Sequence, residues 1–336
     1  MMFKEALNQL LNRQDLSHVD MLAVMQQVMG GALTPAQIAA LLIALRMKGE
    51  TVDEIAAAAK VMRDLSTKVL VHNTKHLVDT CGTGGDGIQT FNVSTVSAFV
   101  AAAAGAKVAK HGGRSVSSTC GSADVLEALG VNVNLSPAQV AKCVDEIGIG
   151  FMFAPNHHSA MKHAAPVRRE LGVRTIFNLL GPLTNPANAK RQLMGVFDRT
   201  LTGKLAQVLK LLGSEHVLVV HGADGMDEIS FTGQTYIAEL NNGVISEYEV
   251  HPSQFGLGVY QLQDIQIQNA EQSKAMILDV LNGQHGAARD IVLLNAGAAI
   301  YVSDMADSLA SGVAKAAEVI DQGLALEKLN ALKSVV

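Results

Sequence analysis

The segment Gly82-Thr83-Gly84-Gly85-Asp86-Gly87 follows a short apolar run, Leu77-Val78-Asp79-Thr80. Four glycines in six positions cost backbone entropy on folding. In return the chain turns tightly and brings several N–H groups to one anion, a nest that suits phosphate or diphosphate. Asn92-Val93-Ser94-Thr95 and an alanine-rich helical stretch come next. Strand, glycine loop and helix N-terminus therefore succeed one another in the order of a phosphate site. A glycine run alone reads equally well as a flexible strand-to-helix turn.

Three further groups bear on chemistry. Lys110-His111-Gly112-Gly113-Arg114-Ser115-Val116-Ser117-Ser118 follows a second strand candidate at 106–109 and offers two cations and three hydroxyls. Ligands of parallel sheets sit beyond such strand ends. Asp227-Glu228, after the strand candidate at 216–221 and the turn Gly222-Ala223-Asp224-Gly225, is an adjacent carboxylate pair. Such a pair suits a hard cation such as Mg2+, bound through one or two carboxylates plus substrate phosphates; taken alone, it reads as ordinary loop acids. The segment 157–182 carries His157, His158, His163, Arg168, Arg169 and Arg174. Its histidines lack the helical spacing of a zinc pair. One of its guanidinium groups suits a bidentate grip on a carboxylate, and periodicity does not choose among the three.

The 336 residues are 49% hydrophobic and 17% charged, enough for a large domain and a smaller one. A net charge of −5 gives no field for nucleic acid or anionic membrane. Cys81, Cys120 and Cys143 have no zinc-type spacing and make a poor disulfide framework, which places the chain in a reducing cytoplasm. Cys81, beside the glycine loop, reads as a buried and inert thiol. Lys4, Glu5, Asn8 and Gln9 interrupt the N-terminal stretch, so no signal peptide is expected. The longest apolar run, around 98–106, is far short of a membrane span.

The elements that must position these groups follow from pattern. Residues 1–70 show helical signals only: Thr34-Pro35 with Gln37, and Thr51 with Glu54, are capping boxes that open helices to about Met47 and Leu65. The first of these is nearly all apolar and is expected to be buried on most sides. From Leu77, strand candidates at 77–80, 106–109, 131–134, 149–153, 193–197 and 216–221 alternate with helices at 94–104, 122–129, 137–147, 157–171 and 200–212. That alternation predicts a mostly parallel sheet flanked by helices. Tyr236 to Leu240, Asn241-Asn242-Gly243 and Val244-Ile245 read as a hairpin, and helices return from about 271.

Taken together these residues resemble the anthranilate phosphoribosyltransferase family, of the nucleoside-phosphorylase-like class. The resemblance rests on Asp79 to Gly87, Thr90 to Thr95, the 110–118 loop, Gly121 to Gly130, Thr175 to Pro186 and Asp227-Glu228, and it covers nearly the whole chain. It implies a small all-helical N-terminal domain, 1–72, rejoined by a segment near 168–185. It also implies a large α/β domain, 73–336, with a mostly parallel central sheet, and a homodimer formed through the helical domain. By motif match, Gly82, Gly85, Asp86, Thr90, Asn92, Val93, Ser94, Thr95, Lys110, His111, Gly112, Gly113, Arg114, Ser115, Val116, Ser117, Ser118 and Ser122 hold phosphoribosyl diphosphate. Ser94, Asp227 and Glu228 bind magnesium, and Gly82, Gly113 and Arg168 meet anthranilate. One departure matters: the family usually has Asn where this chain has Gly113, so a side-chain contact to the acceptor is lost. Thr119-Cys120 replaces a common Lys-Ser pair, with less consequence.

The implied reaction displaces diphosphate from ribose C1 by the aniline nitrogen of anthranilate, without a catalytic nucleophile. Two alternatives share parts of the pattern. A nucleoside phosphorylase gives no reason for the carboxylate pair, and a nucleic-acid-binding module of the same fold would want a basic stripe.

Overall fold

A computed structural model describes residues 2–114 and 120–335. Local hydrogen bonds set its first elements: α1 (Phe3–Leu11), α2 (His18–Met29), α3 (Pro35–Lys48) and α4 (Val52–Leu65). Both expected capping boxes close. Gln37 N–H donates to Thr34 Oγ1 at 3.3 Å, and Thr34 N–H donates to Gln37 Oε1 at 2.9 Å. Glu54 repeats this with Thr51 and, itself buried, also accepts from Lys48 Nζ at 2.9 Å and Leu16 N–H at 2.9 Å. Burial of α3 is confined to Ile38, Leu41, Leu42, Ala44 and Leu45; its ends are exposed, less than its composition predicts.

The remainder is α/β. Strands β1 (Leu77–Gly82), β2 (Lys107–Gly112), β3 (Ile149–Phe153), β4 (Arg191–Gly195) and β5 (His216–Gly222) are parallel, in the spatial order β3-β2-β1-β4-β5. The hairpin β6 (Thr235–Asn241) and β7 (Val244–Val250) extends the sheet antiparallel. Its two-residue turn has Asn242 and Gly243 at φ 48° and 82°, the left-handed pair that fits strand twist.

Successive residues of the central strands face two different cores, as a doubly covered sheet requires. Leu193, Leu218 and Val220 pack with α5 (Val93–Ala103) and the C-terminal helices, among them α13 (Ala287–Val302). Met194, Val217 and Val219 pack with α11 (Leu201–Leu211), the first four helices and the crossover residues Val167, Ile176, Phe177, Leu180 and Leu183. Among the described residues no helix is long and apolar enough to cross a membrane.

Two expected elements are corrected. Val131-Asn132-Val133-Asn134 is not a strand. Both valines are buried, which produced the alternation, but Asn134 N–H donates to Asn132 Oδ1 at 2.9 Å and bends the chain into a turn. The helix expected over 157–171 is broken into α8 (Ala154–His157), a 3-10 turn (Ser159–His163) and α9 (Ala165–Leu171). His158, at φ −117° and ψ 57°, leaves helical geometry, and Pro166 cannot donate to a preceding turn.

Candidate active site

The strand order reverses at β1, whose neighbours are β2 on one side and β4 on the other. Ligands of open α/β sheets bind at such a switch point, beyond the carboxyl ends of the strands. Those ends here are Gly82 and Gly195, which pair in register. A Cβ on Gly195 would overlap the Asp227 carbonyl, and one on Gly82 would strike the Asp227 carboxylate. The two glycines admit the loop after β5 into the heart of the crevice.

The glycine loop lies above them, with Gly84, Gly85 and Gly87 at φ 63°, 78° and 79°. Thr83 N–H donates to Gly195 O at 2.9 Å, and Gly84 N–H donates to Asp227 Oδ2 at 2.8 Å. The N–H groups of Gly85, Asp86 and Gly87 make no hydrogen bond within the described chain. They are the free donors of the nest. The first turn of α5 enters from the side and brings the Ser94 backbone N–H toward the Glu228 carboxyl, whose pKa it lowers.

The electrostatics are those of crowded like charge. Burial, then Asp86, pushes Asp227 up to about 7. Burial, then Asp227, pushes Glu228 well above the usual carboxylate range, against the pull of Lys110. Lys110 is buried, donates to Thr80 O and to Ser94 Oγ (3.2 Å), and faces Asp79. Burial outweighs the attraction of that pair, raising Asp79 and lowering Lys110. Asp79 accepts from His111 N–H at 3.1 Å and Asn185 Nδ2 at 2.7 Å, which fastens β1 to β2 and to the crossover segment. His111 and His158 meet at 3.2 Å through their Nε2 atoms. Burial, then neighbouring imidazoles, depresses them to about 3 and about 4, so both are neutral at pH 7. Burial, then Asp79, pushes the Cys81 thiol well up; it is inert, as its position predicts.

Residues 74–326 match the glycosyl transferase family, a/b domain, and residues 4–66 match the glycosyl transferase family, helical bundle domain. The anthranilate phosphoribosyltransferase of Methylobacillus flagellatus is 64% identical over 99% of this chain and 97% of its own. That of Chromobacterium violaceum is 62% identical over 97% and 96%. The chain belongs to the anthranilate phosphoribosyltransferase family. The crystal structure of the Thermus thermophilus enzyme superposes with a TM-score of 0.93 at 42% identity, covering 98% of both chains. The Saccharomyces cerevisiae enzyme in complex with PRPP and Mg superposes with 0.89 at 28% identity, covering 99% of this chain and 98% of its own.

Most residues expected from the family motifs gather around the switch point. Gly82 ends β1, and Gly85 and Asp86 lie in the loop after it; Val93, Ser94 and Thr95 open α5; Lys110, His111 and Gly112 end β2. Ser122 opens α6 (Ser122–Ala128) and lies against Gly112. Thr90 makes an isolated bridge to Gln266. The Asn92 side chain is already engaged, donating to Cys120 O at 3.0 Å and accepting from Ser273 Oγ at 2.7 Å. Arg114 is not a free cation: it pairs with Asp124 at 2.8 Å and Glu127 at 2.6 Å. Ser115, Val116, Ser117 and Ser118 lie outside the described residues. Among the described residues nothing stands within 4 Å of where a Gly113 Cβ would be.

The Arg168 guanidinium stacks over the Phe177 ring at 5.3 Å and makes no hydrogen bond or ion pair among the described residues. Burial lowers its pKa, whereas Arg169 is exposed. Sequence reasoning missed Gly195, whose importance depends on its lateral pairing with Gly82, and the tie from Asn185 to Asp79. It offered Arg174 only as one of three candidates for a carboxylate, whereas that guanidinium donates to the Gly85 carbonyl.

Proposed function

We propose that this protein transfers the phosphoribosyl group of 5-phosphoribosyl 1-diphosphate to the amino group of anthranilate. The products are N-(5-phosphoribosyl)anthranilate and diphosphate, in tryptophan biosynthesis. The observation that carries this reading is the meeting, at one strand switch point, of three unpartnered loop N–H groups and the carboxylates Asp86, Asp227 and Glu228.

The donor's diphosphate sits on the N–H groups of Gly85, Asp86 and Gly87 and before the N-terminus of α5. Arg168, without an ionic partner among the described residues, receives the anthranilate carboxylate in a charge-assisted pair. The aniline nitrogen is neutral at pH 7 and attacks C1. The N–C1 bond forms, the C1–O bond to diphosphate breaks, and the nitrogen loses one proton. The loop stabilises charge on the departing diphosphate, and the cleft aligns the two substrates. Diphosphate and water are the available proton acceptors.

Asp227, Glu228 and Ser94 are the residues that would hold Mg2+. They fit: burial and a neighbouring carboxylate raise the proton affinity of each, Asp86 acting on Asp227 and Asp227 on Glu228, and Lys110 offsets only part of this at Glu228. Among the described residues no three His, Cys, Asp or Glu side chains form a complete metal site; magnesium held jointly with substrate phosphates requires none. When bound, the ion supplies charge neutralisation of the diphosphate. The yeast relative's complex with PRPP and Mg supports this assignment.

We further propose that residues 1–72, rejoined near 168–185, form one unit beside 73–336; Ile176, Phe177, Leu180 and Leu183 pack with the first four helices in a core that also takes in Met194, Val217 and Val219. The helical unit forms a homodimer, supported by exposed Val19, Met47, Leu65 and Leu70. The free thiols Cys81, Cys120 and Cys143 support a cytoplasmic setting. The test of the reaction is loss of anthranilate fluorescence on adding phosphoribosyl diphosphate, dependent on magnesium. Phosphorolysis of a nucleoside, or salt-sensitive DNA binding without turnover, would overturn it.

A further inference from the structure

The donor loop is fastened at three successive residues. Thr83 is held by Gly195 O through its N–H and by the Phe197 N–H through Oγ1, at 2.9 and 3.1 Å. Gly84 N–H is held by Asp227 at 2.8 Å. Gly85 is held through its carbonyl by the guanidinium of Arg174. The Arg174 head group is itself supported, lying over the Phe197 ring with Cζ 4.0 Å from the centroid.

The third tie differs in kind. The first two come from the ends of the strands that build the crevice; Arg174 comes from the stretch between α9 and α10 (Phe177–Leu180). That stretch follows the helix that bears Arg168 and packs into the core of the helical unit through Ile176 and Phe177. Gly84, Gly85 and Gly87 have no side chains to hold the peptide planes, and glycine accepts either hand of φ at little cost. The peptide group is planar and trans, so its C=O and N–H point in opposite directions. Holding the Gly85 carbonyl on Arg174 therefore turns the Asp86 N–H away from Arg174.

We propose that Arg174 is a positioning residue for the donor loop: it fixes the Gly85–Asp86 peptide so that the loop presents its free N–H groups together, and it fastens that loop to the segment that carries Arg168. This inference rests on the proposed reaction for its kinetic consequence, but not for its structural one.

The experiment compares wild type, Arg174→Ala and Arg174→Lys in two ways. In steady-state kinetics Arg174→Ala raises the KM for phosphoribosyl diphosphate about tenfold, the weight of one charge-assisted hydrogen bond. The KM for anthranilate stays within about twofold, a difference expected of unrelated surface changes. Arg174→Lys, which keeps a donor for the Gly85 carbonyl, recovers most of the loss. Amide hydrogen exchange of the ligand-free proteins reports on the loop directly. Peptides covering 83–88 exchange faster in Arg174→Ala and close to wild type in Arg174→Lys, while the rest of the chain is unchanged. Unaltered loop exchange in the folded alanine variant would overturn the inference, as would an equal rise in both KM values. If wild type does not turn over these substrates, the proposed reaction fails and the exchange measurement still decides the role of Arg174.

Discussion

The two ends of the sheet hold charge in opposite ways. At the carboxyl end of β1, β4 and β5, Asp86, Asp227 and Glu228 crowd together: burial and Asp86 push Asp227 up, and burial and Asp227 push Glu228 up. At the opposite end, buried Glu239 takes hydrogen bonds from His216 Nε2 at 2.9 Å, Tyr248 OH at 2.8 Å and Tyr301 OH at 2.8 Å. Burial alone would raise it, but these donors outweigh burial and hold it below the usual range. Nearby, Arg191 bridges Glu215 and Asp304. The strand β5 joins the two: it begins at His216 in the satisfied cluster and leads to Asp227 in the unsatisfied one. A polar network whose members all have partners contributes to the fold. A cluster of acids without enough donors is destabilising by itself and fits a site that meets its counter-charge only when ligand arrives.

The sharpest test of that contrast removes the acids. Asp227→Ala combined with Glu228→Ala should lower turnover by on the order of 10³-fold or more, since it removes electrostatic stabilisation of the departing diphosphate. Its melting temperature should be unchanged or higher, because like-charge repulsion is relieved. Wild-type activity at limiting magnesium would remove the metal role, and a large loss of stability would break the comparison. Next in size, Arg168→Ala should raise the anthranilate KM by roughly 10–150-fold, the range of a charge-assisted pair of ~1.5–3 kcal/mol. The KM for phosphoribosyl diphosphate should move far less. Arg169→Ala is the control, and a greater effect there would put the wrong face of α9 at the acceptor.

The opposite end should show the reverse pattern. Glu239→Gln should cost about 1–3 kcal/mol of stability, because its amide places a donor against donors, while kcat stays near wild type. The folded-state pKa of Glu239 lies below its unfolded value. Its contribution is thus present above the unfolded pKa of about 4.3 and is lost as pH falls through the folded pKa. Chemical denaturation across pH 3–6 should show a shallower acid loss in the variant than in wild type. Smallest of all, Gly113→Asn should lower the anthranilate KM a few-fold to about tenfold, the value of one neutral hydrogen bond. Among the described residues nothing stands within 4 Å of the Cβ position there, and the φ of Gly113 is not positive. An unchanged or raised KM in a normally folded variant would show that neighbouring groups already replace the missing side chain.

What could be read from the sequence was what depends on near neighbours along the chain. The boxes at Thr34 and Thr51, the Asn242-Gly243 turn and the glycine loop are each complete within a few residues. Val131 and Val133 misled because burial without a partner strand produces the same alternation as a strand. Among Arg168, Arg169 and Arg174, periodicity could not choose, since the helix it assumed is broken at His158 and ends at Leu171. The family motif singled out Arg168, and it is the arginine of the three that is half-buried with no ionic partner among the described residues. Asp79 gave no signal of its own, because its partners Asn185 and His111 are distant in sequence.

Gly82 and Gly195 carry a further consequence. Where Asp227 sits is decided by volume that the two strands leave out, and its charge acts only from the place so allotted. The nearest atoms that Gly195→Ala would meet are backbone atoms of Asp227, so it would evict that backbone and move the carboxylate with it. Added magnesium or a substituted acid could not reverse such a change. A compensating mutation would have to reroute the main chain at 226–228, so these two positions can drift only together with the loop they admit.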